Sequence, residues 1–311
     1  MNMQTQTPST ASAVAAPSTS VPSISSAAVL IDLSIGSWTG RKLDKKASDE
    51  VTQGHGAAVG VARVNKKLLG DCAELEAVQK FAANARNTHY AMTMPWSDSG
   101  LRLCPTVQYI GKYEKVMSEL RTEFWRLVQG FLDAYNWEIQ NSQLKLGTLF
   151  NADEYPTVDK LATKFRFRYS PLPIADAGDW RLDIGNEAAA AMRSDYEGYY
   201  TQQLQAAMGN VWSRAHEALT KMSERLDYAD ADTKKVFRDS LVTNVHDMIE
   251  LLGVCNMTND PVMAAAQRDL DHAMRGITPD ALREDPYLRA ETRRKVNEVR
   301  KVIDNLPSLG F

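Results

Sequence analysis

One short stretch of this 311-residue chain carries residues that could bind nucleic acid. From Lys164 to Tyr169, basic and aromatic side chains alternate. Successive side chains of a β-strand point to opposite faces, so a strand here would place Lys164, Arg166 and Arg168 together. Cations about 6.6 Å apart on one face could follow a phosphate backbone, and exposed rings on the other could stack on bases. The alternative is a surface strand whose rings belong to the core.

The residues that metal and nucleophilic chemistry need are scattered. Five histidines and three cysteines form neither a paired-cysteine nor a His-Glu-x-x-His pattern, and no Gly-x-Ser-x-Gly elbow occurs. His246 and Glu250 would share a helix face, but they lack a third ligand. We therefore predict no catalytic residue, no metal site and no cofactor, and a protein that is not an enzyme. A constellation assembled only in three dimensions is left open.

The segment from Gly36 to Lys42 partly matches a phosphate-binding loop. Such a loop needs four residues between its glycines, then lysine, then serine or threonine. Here three residues separate Gly36 from Gly40, Arg41 precedes the lysine, and Leu43 follows it. The segment predicts a tight turn with a basic flank.

Composition and charge place the chain among globular proteins without a membrane span. The net charge is −3, so contact with nucleic acid would need a local basic patch. No run of 18 apolar residues occurs, and the odd number of cysteines suggests reduced thiols in a core. Residues 1–26 are rich in Ser, Thr, Ala and Pro and carry no charge, which predicts a disordered tail rather than a signal peptide. We predict a cytoplasmic protein.

Two long amphipathic segments dominate the rest of the sequence. Apolar residues recur at steps of three and four over residues 112–141 and again over residues 187–226. Helices of roughly 45 and 60 Å cannot be buried on all sides, so we predict that they pair as a long antiparallel hairpin and self-associate. The predicted fold is mainly α (α+β).

The hairpin divides the predicted chain into regions. An N-terminal α+β region covers residues 27–110, the hairpin covers 111–228 with a small β insertion at its tip over 146–184, and helices fill 229–311. Three of those last helices are predicted to start at a capping residue followed by proline, at Asp260, Thr278 and Asp285.

Several N-terminal stretches resemble an uncharacterised domain family of phages and mobile elements. They are Leu30-Ile31-Asp32-Leu33-Ser34-Ile35, Trp38-Thr39-Gly40-Arg41, Met94-Pro95-Trp96, Gly100-Leu101-Arg102-Leu103-Cys104-Pro105, and the long helix from Tyr113. The resemblance covers about residues 28–226. It implies a bacterial host cell and, because that family is often encoded beside a CobS-like AAA+ ATPase of the MoxR type, a possible ATPase partner. It implies no catalytic residues.

Two functions follow as hypotheses. The first is a non-enzymatic scaffold or adaptor in phage or mobile-element DNA metabolism, which self-associates or docks on the ATPase. The alternative is a protein that binds single-stranded DNA or another nucleic acid in recombination or replication, through Lys164, Arg166 and Arg168.

Overall fold

The computed structural model describes residues 27–174, 187–228, 238–257 and 259–306. The predicted tail, the end of the 146–184 segment and the start of the C-terminal region at 229–237 lie outside the described residues. The strands are β1 (Ala28–Gly36), β2 (Arg41–Asp44), β3 (Val64–Lys67), β4 (Met94–Pro95), β5 (Arg102–Pro105) and β6 (Arg166–Leu172). The α-helices are α1 (Lys45–Gly54), α2 (Ala73–Met92), α3 (Glu114–Leu146), α4 (Val158–Ala162), α5 (Glu187–Arg225), α6 (Ser240–Cys255), α7 (Pro261–Met274), α8 (Pro279–Glu284) and α9 (Pro286–Asp304). A short helical turn at Thr106–Gln108 and a π-helical turn at Tyr109–Tyr113 lead directly into α3.

The predicted mainly α fold with small sheets and a cluster of C-terminal helices is confirmed. The three predicted caps are also present. The side chain of Asp260 accepts a hydrogen bond from the backbone N–H of Val262, Thr278 accepts one from Ala281, and Asp285 accepts two. Each cap precedes a proline, whose missing N–H costs nothing in the first turn.

A four-stranded antiparallel sheet with the order β4-β5-β1-β6 lies at the centre of the fold. Strand β1 pairs with β5 on one side, where Val29 lies opposite Cys104, and with β6 on the other, where Leu33 lies opposite Tyr169. The first and the sixth strands of the chain are therefore neighbours. Strands β2 and β3 form a separate antiparallel pair.

Each face of the central sheet contributes to a different hydrophobic core. Ile31 and Phe167 lie on the face that packs with apolar residues of α2 and α3, such as Val78 and Phe131. Ala28, Met94 and Leu103 lie on the opposite face and join the core of α5, α6, α7 and α9. Alternation of side chains along the strands produces this division.

The predicted pairing of the two long helices is wrong. Helices α3 and α5 are continuous, with 33 and 39 residues, but α3 packs mainly against α2 while α5 packs against α6 and α9. Their core residues belong to different clusters on opposite faces of the sheet. The sheet therefore separates the two helices, and each buries its apolar stripe against nearer partners.

The predicted β insertion at a hairpin tip is also wrong. Its strand, β6, pairs with β1 over seven residues and forms an edge of the central sheet. The segment after α3 thus returns to the N-terminal region. The short helix α4 precedes that strand.

Among the described residues, no helix is long and apolar enough to cross a membrane.

Candidate functional site

The predicted cations occupy the outer face at the start of β6. Lys164 lies in the turn two residues before the strand begins, and Lys164, Arg166 and Arg168 are all exposed. Phe165 and Phe167 alternate with them and are buried, as expected for a half-buried strand. Arg166 and Arg168 thus share the outer face of β6, with Lys164 exposed in the turn before it.

The rings of this strand are not available to stack on bases. Phe165 packs 5.7 Å from Phe131, measured between ring centroids, and Phe167 packs 5.4 Å from Phe124. The Tyr169 hydroxyl donates a hydrogen bond of 3.0 Å to Glu114 Oε1. The alternation therefore gives a surface strand whose aromatic rings pack within the fold while its cations face solvent.

The three cations differ in their neighbours. The Arg168 guanidinium lies 3.1 Å from Asp32 Oδ2, an exposed ion pair that neutralises part of its charge. Lys164 and Arg166 have no ion-pair partner within the part of the chain that the structure describes. Any anion attracted to this strand would therefore meet two uncompensated charges rather than three.

A buried polar cluster links α2 to the π-helical turn. His89 of α2 and Tyr113 form a hydrogen bond of 2.8 Å between Nδ1 and the hydroxyl, and both side chains are buried. Burial, with a smaller effect of the Arg102 charge, lowers the pKa of His89 to about 4. Burial also raises the pKa of the Tyr113 phenol well above its usual value. The pair is thus neutral at physiological pH and serves the packing of the helix.

Two arginines bind the polar groups at the end of α2. Arg102 donates hydrogen bonds of 2.7 and 2.9 Å to the side chain and the carbonyl of Thr93. From α5, Arg214 donates to the carbonyls of Tyr90, Ala91 and Thr93. These carbonyls are the ones that a helix leaves without an internal partner, so Arg214 caps α2 from the opposite layer.

A cleft of about 490 Å³ opens beside this cap, between α2, α5, α6 and the turns before α3. Four of its charged side chains form two ion pairs, and the other two, Arg214 and Asp247, have opposite signs. The ammonium of Lys112 lies 2.7 Å from Glu250 Oε2, and Lys221 pairs with Glu217. The cleft therefore has no excess of either charge sign that would select a ligand.

A buried lysine, Lys66, holds the segment that follows α3 against β2 and β3. The Lys66 ammonium lies 3.0 Å from Asp44 Oδ2 and 2.8 Å from Glu154 Oε2, and it donates a hydrogen bond to the Leu149 carbonyl. Its bonds to the two carboxylates raise the pKa of Lys66, chiefly through Glu154. The Lys66 ammonium is thus paired by groups of the chain itself, and its role is structural.

The structure brings together three potential metal ligands, two from the start of α2 and one from α3. Cys72, Glu74 and Glu138 each offer a ligand atom, and these atoms lie within 4.8 Å of one another. Cys72 is the residue before α2, Glu74 is in its first turn, and Glu138 lies on the buried face of α3. The Cys-x-Glu spacing was the only signal in the sequence, because Glu138 lies on a distant helix.

Burial governs the ionisation of this cluster. It raises the pKa of the Cys72 thiol to about 11, and the neighbouring carboxylates act in the same direction. Burial also raises the pKa of Glu138, with Glu74 adding to the effect and Lys145 opposing it. Cys72, Cys104 and Cys255 are all buried free thiols, as predicted.

The outward face of α3 carries large apolar side chains. Trp137 is 63% exposed and Leu144 is 85% exposed. They are seven residues apart, two helical turns, so they lie on one face of the helix. The opposite face is filled by buried residues such as Phe131 and Tyr135.

Comparisons with protein-family models, with curated proteins and with solved structures give no match for this chain. The resemblance to the phage and mobile-element family therefore stays a prediction.

Proposed function

We propose that this chain is a non-enzymatic adaptor that docks a partner protein on the outward face of α3. The observation that carries the proposal is the exposure of Trp137 and Leu144. Tryptophan is enriched among the residues that dominate binding energy at protein interfaces, and the exposed indole shares one helix face with an exposed leucine two turns away.

The rest of α3 supports this assignment. Its inner face already packs against α2 and the sheet through Met117, Phe124 and Phe131, so the outer apolar pair is not needed for the core. The helix is also rigid and long, about 50 Å at the usual rise per residue, and it presents both side chains without a loop.

The partner we propose is an AAA+ ATPase of the MoxR type, in phage or mobile-element DNA metabolism within a bacterial cell. This choice rests on the resemblance of the N-terminal stretches to a family often encoded beside such an ATPase. Self-association through the same face is the competing use of the surface.

The test measures binding of the full chain to the candidate ATPase by biolayer interferometry, with light scattering on the chain alone. We expect the double variant Trp137→Ala/Leu144→Ala to bind at least 10-fold more weakly, with unchanged helical circular dichroism. The matched control is Tyr287→Ala on α9, which removes another highly exposed aromatic ring and should leave binding unchanged.

A chain that stays monomeric and ignores the ATPase would overturn the adaptor proposal, as would a double variant that binds like the wild type. If the wild type forms a dimer and does not bind the ATPase, and the double variant loses that dimer, the face is still a docking surface. Its occupant is then a second copy of the chain rather than the ATPase.

Nucleic-acid binding is a second candidate, favoured by the unpaired cations Lys164 and Arg166. Each neutralised phosphate contributes to a linear fall of log affinity with log salt concentration. Because the rings of β6 are buried, binding would depend on phosphate contacts and show little preference among sequences.

This alternative predicts that single-stranded DNA binds the chain and that raising the salt weakens binding, as read by fluorescence anisotropy. Changing Lys164, Arg166 and Arg168 to alanine should remove most of that binding and flatten the salt dependence. The matched control replaces Arg293, Arg294 and Lys295, three cations of α9 that have acidic partners. Equal affinity of the β6 variant and the wild type would exclude this site.

A further inference from the structure

Glu138 is a buried acidic side chain with an unexplained environment. It is 5% exposed, and its Oε2 atom has no hydrogen-bond partner among the described residues. An ionised carboxylate that is buried without a partner destabilises the fold, so native proteins pair such groups or coordinate them to a metal.

The groups that face Glu138 come from the start of α2. A sulfur and a carboxylate oxygen, from Cys72 and Glu74, lie within 4.8 Å of its carboxylate and of each other. The Cys72 thiol also points at Glu74, with Sγ 3.6 Å from Oε2. Two carboxylates and a sulfur therefore converge on one point.

Lys145, a cation that acts on Glu138, forms no ion pair with this cluster. Lys145 lies two turns after Glu138 on α3 and favours its ionised form through space. Its ammonium, however, donates a hydrogen bond of 3.4 Å to the carbonyl of Asp71 and is exposed. Among the residues that the structure describes, Glu74 and Glu138 thus have no ion-pair partner.

A thiolate with two carboxylates is a ligand set that suits zinc. Zinc takes sulfur at about 2.3 Å and carboxylate oxygen at about 2.0–2.2 Å, usually in a tetrahedron. The ligand atoms of such a tetrahedron are about 3.3–3.7 Å apart, so small side-chain movements would close the cluster around an ion. Cys72 also lines a cleft of about 180 Å³ beside Gly40 and Gly70, which gives an access path.

We infer that Cys72, Glu74 and Glu138 bind one zinc ion, which joins the start of α2 to the C-terminal third of α3 and leaves a fourth position for water. This inference is independent of the adaptor function and of the surface of Trp137 and Leu144. Its physical basis is that a dication compensates the buried carboxylate that the chain itself leaves unpaired.

The test uses the full chain, freed of metal, and titrates it with Co²⁺ and Zn²⁺ alone. Cobalt bound by a thiolate gives an intense charge-transfer band, which identifies the sulfur ligand directly. We expect this band at one Co²⁺ per chain, its displacement by Zn²⁺, and a zinc-dependent rise in the thermal midpoint of unfolding.

Three variants assign the ligands. Cys72→Ser should abolish the charge-transfer band, and Glu138→Gln should weaken zinc binding at least 10-fold. Glu74→Gln changes an exposed residue, so it reports on binding even where the buried variants fold poorly. Cys255→Ala is the control, because this buried thiol lies in the other core.

Absence of the cobalt band in the wild type would overturn the inference, as would a band that survives in Cys72→Ser. Unchanged zinc affinity in both glutamate variants would show that Glu138 is simply a buried neutral acid.

Discussion

The Tyr113 hydroxyl lies 2.8 Å from His89 Nδ1, in a place where neither side chain reaches solvent. Tyr113 ends the π-helical turn before α3, whereas His89 belongs to the last turns of α2. This hydrogen bond therefore links the C-terminal end of α2 to the turn that leads into α3.

Replacing Tyr113 by phenylalanine should lower the free energy of unfolding by about 1–3 kcal/mol, because His89 is left with an unpaired buried nitrogen. Urea unfolding measures the change. Tyr109→Phe is the control, since its hydroxyl bonds Glu114 at the surface and its loss should cost under about 0.5 kcal/mol. Equal losses in the two variants would contradict the structural importance of the buried pair.

The His89 imidazole should make the fold acid-sensitive. Its pKa is lowered to about 4 in the folded chain, chiefly by burial, so the unfolded chain takes up a proton first as the pH falls. The buried neutral imidazole is therefore fully compatible with the fold above about pH 6.5, and the free energy of unfolding falls progressively as the pH drops from there toward 4. Between pH 7 and pH 5 the wild type should lose about 2 kcal/mol more than His89→Gln. Parallel pH profiles of the two proteins would refute this assignment.

Arg214 should stabilise the contact between α5 and the C-terminal end of α2. Arg214→Met keeps an unbranched apolar stem but removes the hydrogen bonds to the Tyr90, Ala91 and Thr93 carbonyls, so we expect a loss of about 1–3 kcal/mol in unfolding free energy. Arg214→Lys should recover only part of it, because an ammonium cannot span several carbonyls as a planar guanidinium does. Full recovery by lysine would show that charge alone matters.

Gly40 should resist substitution. Its φ is +64°, and a Cβ at this position would lie 2.7 Å from Leu75 Cδ2. Gly40→Ala should therefore lower stability by about 1–2 kcal/mol or more, through backbone strain and displacement of Leu75. At Gly36 the nearest atom would be 3.5 Å away, and Gly36→Ala is the matched control. Thermal unfolding of the two variants separates a required glycine from a tolerated one.

The sequence determined the local elements. Steps of three and four residues give α3 and α5, alternation gives β6 with Phe167 inside and Arg166 outside, and Asp260-Pro261 starts α7. These features depend on the periodicity of apolar residues and on caps, which act over a few neighbours along the chain.

Only the tertiary structure decided which elements meet. The apolar stripe on α3 shows that another element must cover it, but either α2 or α5 could do so. Strand β6 pairs beside β1, and this places the sheet between the two long helices. The convergence of Cys72 and Glu138 depends on the same choice, because it exists only where the start of α2 packs on α3. The hydrophobic effect is non-directional, so the pattern of apolar residues shows which face of an element is buried but not which other element covers it.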